Sequence, residues 1–300
     1  MTLLALLRPN AWRVFRRNFL AWQKYAWSSI AINTIEPIGY FLALGFGLGA
    51  YVTLQGHGSL VAFIAPGLLA VTAMNTSTFD SCWGCFERLN FNGVYESMVT
   101  APVSPLEIAA GEHLWQAFRA LLYGSAFLLI ITLFGLVHSW WALLCPPVLA
   151  LTGLLFSIPG LWMALLVKSQ EHLFFYFSFA VTPMMMLGGV FFPLDRLPHA
   201  VSLVAWFTPL YHAVNVLRAL VNGTLTPAVL GDAVWLLAAI ALLSAGPVSL
   251  LNSKLGNRQR AGPELADADK GHALGEDAGR HEAAPDPAHD AVAVDEHALR

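Results

Sequence analysis

The sequence predicts an all-α integral membrane protein: six transmembrane helices, an N-terminal amphipathic interface helix, and external re-entrant helices between spans five and six. Composition is the first reason. Of the 300 residues, 57% are hydrophobic and 12% charged, with a mean hydropathy of +0.60, whereas a soluble domain is about half apolar and a quarter charged. The second reason is the run of long apolar segments joined by short polar links. The third is the stretch from Leu173 to Arg218. One apolar run ends at Phe192, and Pro193 and Pro198 then break the helix, because proline lacks the backbone donor and clashes with the preceding turn.

The formal net charge of −3 is unevenly divided. Residues 1–260 carry 13 Lys and Arg against 9 Asp and Glu (+4), and residues 261–300 carry 3 against 10 (−7). This acidic tail has almost no large apolar side chains, cannot offset its ordering entropy by burial, and is expected to be disordered. The expected organisation is a cytoplasmic segment with the interface helix (1–27), a six-span domain (28–251) and a cytoplasmic tail (252–300). Cys82, Cys85 and Cys145 leave one thiol over in any pairing, so no disulfide framework follows. Thr2–Leu7 is too short for a signal h-region, and the positive charges follow rather than precede it, so no cleavable signal is expected.

From Asn10 to Trp27, an aromatic stripe of Trp12, Phe15, Phe19 and Trp22 opposes Arg13, Arg16, Arg17 and Lys24, the pattern of a helix lying in the cytoplasmic headgroup layer. The first span, Ser28–Val52, holds Glu36-Pro37 and a Gly45/Gly49 pair spaced for close helix approach. Glu36 has two readings. One is a functional intramembrane carboxylate, serving as proton relay, cation site or inter-helix partner; the other is an interfacial acid about one turn nearer the surface. The second span, Leu60–Ser81, turns polar at Asn75, Thr76, Ser77, Thr78 and Asp80, so that half should face protein or a cavity. A polar connection, Cys82–His113, follows, in which Ser104, Pro105 and Glu107 form a helix-start signature. The third and fourth spans, Ala117–Val137 and Trp140–Leu166, are joined by His138-Ser139 alone. The fifth runs from Leu173 to Phe192. Beyond it, Leu203, Phe207, Leu210, Val214, Leu217 and Val221 lie at helical spacing, and Pro209 divides them into two short amphipathic pieces of the kind that lie on or dip into a bilayer. The sixth span is Leu230–Leu251. Positive flanks (the N-terminal group, Arg88, Arg119, Lys168, Lys254–Arg260) outweigh Arg196 and Arg218, which places both termini in the cytoplasm.

Little in the chain reads as catalysis. Cys82-Trp-Gly-Cys85 has metal-pair spacing, but a zinc site needs four ligands and Cys145 belongs to another span, so small polar cysteines at a helix end are the better reading. Glu112-His113 and its echo Glu171-His172 read as acids favourable at helix N-termini, and Asp80, Asp195 and Asp232 as single acids at span ends. Trp140, Trp141, Trp206 and Trp235 form an aromatic belt or, alternatively, stack on sugar rings at an exit. No lysine follows a glycine, so the phosphate-binding P-loop cannot occur, and any ATPase must be another polypeptide. No nucleic-acid partner is expected.

Four segments resemble the membrane subunits of type-2 ABC exporters, the ABC-2 permeases, and more narrowly the NodJ-type lipo-oligosaccharide permeases that work with a NodI-type ATPase. They are Glu36-Pro-Ile-Gly-Tyr with Gly45-Phe-Gly-Leu-Gly49; Gly93-Val-Tyr-Glu-Ser-Met with Leu106-Glu-Ile-Ala-Ala-Gly-Glu112; Gly188-Gly-Val-Phe-Phe-Pro-Leu-Asp-Arg-Leu-Pro198; and Pro209-Leu-Tyr-His with Arg218. The resemblance implies a homodimeric permease in the bacterial inner membrane. Its partners would be a P-loop ATPase that binds ATP and Mg and, as cargo, a lipo-oligosaccharide or glycolipid, with a drug or lipid-linked polysaccharide as the alternative. It also implies residue roles. Trp12, Phe15, Arg16, Arg17 and Phe19 would belong to the interface helix. Phe86, Glu87, Arg88, Tyr95, Glu96 and Pro102 would couple to the ATPase. Glu36, Asn75, Thr78, Phe191 and Phe192 would line the path, and Pro193, Pro198, Trp206, Pro209, His212 and Arg218 would shape the exit. No metal site or cofactor is implied in this chain. The acidic tail departs from the family pattern.

Overall fold

The computed structural model describes residues 5–255 except 52, 55–57, 195–197, 245 and 247–249. The acidic tail beyond residue 255, with Asp195 and Arg196, lies outside the described residues. Helix α1, Pro9–Gln23, starts with proline at its first turn, where a missing N–H costs nothing. Helix α2, Ala26–Ala50, contains Pro37, which has no N–H to offer the preceding turn. The helix then widens into a π turn over Phe41–Gly47 and tightens at Leu48–Ala50. A two-residue antiparallel pair, Thr53–Leu54 with Gly58–Ser59, leads into the next helix.

Helix α3 runs from Leu60 to Asn90, past the end at Ser81 that the sequence predicts. It passes through a π turn at Asp80–Gly84, where Gly84 leaves room for the Asp80 carboxylate: a Cβ there would sit 2.6 Å from Oδ1. Gly93, at φ +57°, turns the chain into the short α4, Val94–Thr100. Helix α5, Pro105–Leu133, begins with the expected capping box, Ser104 with Glu107, and absorbs both the predicted cytoplasmic helix and the third span into one rod. The link to α6, Trp140–Leu166, is longer than the two residues expected, because α5 stops at Leu133 and Gly135 turns at φ +72°.

Residues 171–187 form α7, with a π turn at Phe177–Val181. Helices α8, His199–Trp206, and α9, Pro209–Asn222, meet at an 86° bend. Helix α10, Pro227–Leu243, closes the bundle. Among the described residues four helices (α2, α3, α5 and α6) are long and apolar enough to cross a membrane, or five if the bent pair is one span. The chain is therefore a multi-pass membrane protein.

The hub is α3, whose apolar stretch is 83% buried against 22% for α2. It packs on α5, α6 and α9. Small residues set the close approaches: Gly153 of α6 meets Ala120 of α5, and Gly160 meets Ser81 of α3. One apolar core surrounds α3 along its length. A second gathers Cys82, Phe86, Leu89, Tyr95, Ile108 and Leu161, where α3 and α6 finish and α5 begins.

Candidate functional site

A cavity of about 470 Å³ opens between α2, α3 and α7. Its walls are mostly apolar, with Pro37, Tyr40, Leu68, Phe79, Phe177 and Met185 among them. The threonines beside them turn their hydroxyls back on their own helix: Thr72 donates to the Leu68 carbonyl at 2.8 Å and Thr76 to that of Thr72 at 2.7 Å. Glu36 and Asn75 also line the cavity, and neither has a hydrogen-bond or charge partner among the described residues. Of the residues expected on the path, Thr78 is buried away from this cavity, its hydroxyl without a partner. Phe191 lies near Tyr40, ring centroids 6.4 Å apart, and Phe192 is half-buried beside it. The faces of α2 and α7 around the cavity are exposed and apolar, carrying Ile32, Ile35 and Phe46 on one and Phe174, Phe175 and Phe179 on the other.

Arg119 also lines the cavity and belongs to a buried ion cluster. Arg88 reaches Glu112 at 2.9 Å and Asp80 at 3.2 Å, and Arg119 reaches the other oxygen of Asp80 at 2.9 Å. Gln116 also donates to Asp80, and Asn18 of α1 donates to Glu112 at 3.1 Å. The cluster thus joins α1, α3 and α5. It corrects two expectations. Asp80 is not a single acid, and Glu112 is an ion-pair partner in mid-helix rather than an acid at a helix start. His113 beside it bonds Ser157 of α6 through Nδ1 at 2.7 Å. Sequence spacing hides the cluster, because its partners lie on separate helices. The cue available was two opposite charges, Asp80 and Arg119, each stranded within apolar sequence. Cys85 approaches Arg88 and Glu112, and Cys82 faces the Gly160 carbonyl. All three thiols are free, and no group of three metal-ligating side chains occurs among the described residues.

Helix α1 lies along the first half of α5. Its buried face is Ala11, Val14, Asn18 and Trp22. Trp12 is exposed, while Phe15 and Phe19 pack edge-on to Phe118 at 5.7 and 5.6 Å. Trp22 Nε1 donates to the Tyr123 hydroxyl at 3.0 Å. At the other end, Asn10 bonds Glu107 at 3.2 Å and the Pro102 carbonyl at 3.0 Å. Arg16 is exposed, and Arg17 bonds Asn18. In the connection, Phe86 and Tyr95 are buried, and Arg88 points into the ion cluster. Burial pushes the Tyr95 phenol well above its usual range, and the nearby Cys85 and Glu112 add to the shift. Glu87 and Pro102 face outward, and Glu96 is half-buried.

At the opposite end, His212 ties the bent helices to α10. Its Nδ1 lies 2.6 Å from Asp232 Oδ1 and its Nε2 lies 2.7 Å from the Trp206 carbonyl, with the ring stacked on Trp235 at 4.2 Å. Asp232 too is therefore paired. Pro193 is half-buried, Pro198 caps α8, and Pro209 starts α9. Arg218 is held under Phe63 and the Gly189 turn.

The profile of the family described as ABC-2 type transporter matches residues 9–221. The chain is 37% identical over 211 residues to Nodulation protein J of Rhizobium leguminosarum bv. viciae, covering 70% of this chain and 81% of that protein. It is 36% identical over 223 residues to Nodulation protein J of Rhizobium meliloti (strain 1021), covering 73% and 85%. It is 29% identical over 182 residues to the Inner membrane transport permease YadH of Escherichia coli (strain K12), covering 60% and 70%. No solved structure matches the chain.

Proposed function

The chain belongs to the ABC-2 type transporter family, and on that premise we propose that it is the permease subunit of an ATP-driven exporter. It moves an amphipathic lipo-oligosaccharide or glycolipid outward across the cytoplasmic membrane, and a separate NodI-like subunit binds and hydrolyses ATP with Mg. The observation that carries the reading is the cavity between α2, α3 and α7. An apolar wall with an unpaired carboxylate and an unpaired amide, Glu36 and Asn75, suits a cargo with a lipid part and a hydroxyl-rich head. The exposed apolar faces of α2 and α7 favour closure of that cavity by a second copy, making the path a homodimer interface.

In this reading α7 and α10 complete six spans. The 17 residues of α10 extend ~26 Å, near the thickness of a bilayer core. Helices α8 and α9 are re-entrant on the outer side, and residues 1–27 and 252–300 are cytoplasmic. Arg88 and Arg119 are spent in the ion cluster, so the orientation rests on the N-terminal arginines, Lys24, Lys168 and Lys254. Phe86, Arg88 and Tyr95 hold the connection to the bundle, and Glu87, Glu96 and Pro102 present its ATPase-facing side.

The test uses inverted membrane vesicles containing the subunit and its ATPase, with a fluorescent acylated oligosaccharide as cargo. The account expects ATP-dependent sequestration. Glu36→Gln should weaken it about tenfold, the value of one charge-assisted hydrogen bond. Equal signals with and without ATP would refute it.

A further inference from the structure

Besides the buried His212, helix α9 carries one polar stripe. Tyr211, Asn215 and Arg218 recur at i, i+4 and i+7, which puts them on a single face. That face lines a second cavity of about 300 Å³, walled by Phe63 of α3 and by Gly189, Pro193 and Leu194 beyond α7. None of this lining is shared with the cavity that holds Glu36.

Arg218 is fixed and only partly satisfied. Its Nη2 donates to the Gly189 carbonyl at 2.8 Å and to the Phe63 carbonyl at 3.3 Å, and its guanidinium carbon lies 4.0 Å from the Phe63 ring centroid. A guanidinium has five N–H donors. Here Nε is buried without a partner, and Nη1 has none among the described residues. Nor does any described carboxylate pair with it: Asp232 is taken by His212. The Tyr211 hydroxyl and the Asn215 amide likewise find no partner among the described residues.

An arginine that served only to tie two carbonyls would not need a cavity beside its spare donors, nor two further unpartnered donors on the same helix face. A positive head on the same lining as further N–H and O–H donors, with no described carboxylate paired to it, selects an acceptor-only anion. Phosphate and carboxylate oxygens both match a guanidinium, and the apolar rim of Phe63, Pro193 and Leu194, which suits the start of an acyl-bearing backbone, favours a lipid phosphate. We propose that Tyr211, Asn215 and Arg218 form a binding site for a phosphate group, as carried by the head of an anionic lipid.

The site does not depend on export, so binding alone tests it. The full-length chain with its ATPase is purified into nanodiscs of phosphatidylcholine with or without phosphatidylglycerol, gently delipidated, and its retained lipids are counted by native mass spectrometry. Both lipids carry a phosphodiester, but the choline cation sets a second positive charge beside Arg218, so phosphatidylglycerol should be retained about tenfold over phosphatidylcholine. Arg218→Gln should abolish that preference, and Arg218→Lys should keep part of it. Tyr211→Phe with Asn215→Leu keeps the guanidinium and should lower retention severalfold, which preserves the test should Arg218→Gln fail to fold. Inorganic phosphate that displaces the lipid would show that phosphate alone occupies the site. Phosphate without effect would show that the lipid-borne group is required. Equal retention of both lipids by the wild-type chain, or equal retention of phosphatidylglycerol by the wild type and both variants, would overturn the proposal. So would selective retention that arises only after Asp195→Asn, since Arg218 would then be neutralised by its own chain.

Discussion

The Glu112 side chain is 2% exposed, and a carboxylate that deep survives only in company. Arg88 is its charge partner, with Asn18 as a hydrogen-bond donor. Arg88→Met leaves that carboxylate buried without a cation and should cost about 3–5 kcal/mol. Thermal unfolding of the detergent-solubilised chain would read this as a large drop in midpoint. Arg88→Met combined with Glu112→Leu should recover much of the loss, because an apolar pair of similar size avoids the uncompensated charge, while Asp80 keeps Arg119. An additive double variant would contradict the pairing. At this scale the sequence was least informative. Glu36-Pro37 advertised itself because it stands alone in an apolar run. Asp80 read as a single acid at a span end and Glu112 as an acid at a helix start, and only the packing of α1, α3 and α5 shows them to be partnered.

Helix ends and helix contacts are the next scale. Ser104→Ala removes the acceptor for the Glu107 N–H and should cost about 1 kcal/mol, read as a modest fall in unfolding midpoint. Gly160→Val drives a side chain into Ser81 where α3 and α6 touch, and should cost about 1–3 kcal/mol. Gly231, with nothing within 4 Å of an added Cβ, is the control: Gly231→Ala should be neutral or slightly stabilising. A Gly160→Val midpoint matching that of Gly231→Ala would contradict the close α3–α6 contact. Helix starts were legible because Ser104-Pro105 and Glu107 state their chemistry locally. Helix ends were less so. Helix α3 continues past Ser81 since its charged last turns are neutralised from α5, and no local signal reports that. The aromatics of α1 were legible as a stripe, and the face that packs on α5 follows the small Ala11 and Val14 that let α1 approach Gly111.

For the whole molecule, hydropathy was enough to identify a multi-pass membrane protein, and the four family segments led to the ABC-2 assignment. The cavity needed the structure, because Glu36, Asn75 and Phe177 come from three helices. Asn10, Asn18 and Arg88 tie α1, the connection and the ion cluster into one body. A push on the outward-facing Glu87–Pro102 surface would thereby reach α3 and α5 together. The central claim is that this surface receives an ATPase. The most direct measurement is a pull-down of the tagged chain from detergent-solubilised native membrane, with co-purifying proteins identified and counted. The account predicts a stoichiometric P-loop ATPase, lost when Glu87, Glu96 and Pro102 are replaced together in a chain that still unfolds at the wild-type temperature. Recovery of the chain alone, still exporting its cargo, would contradict it.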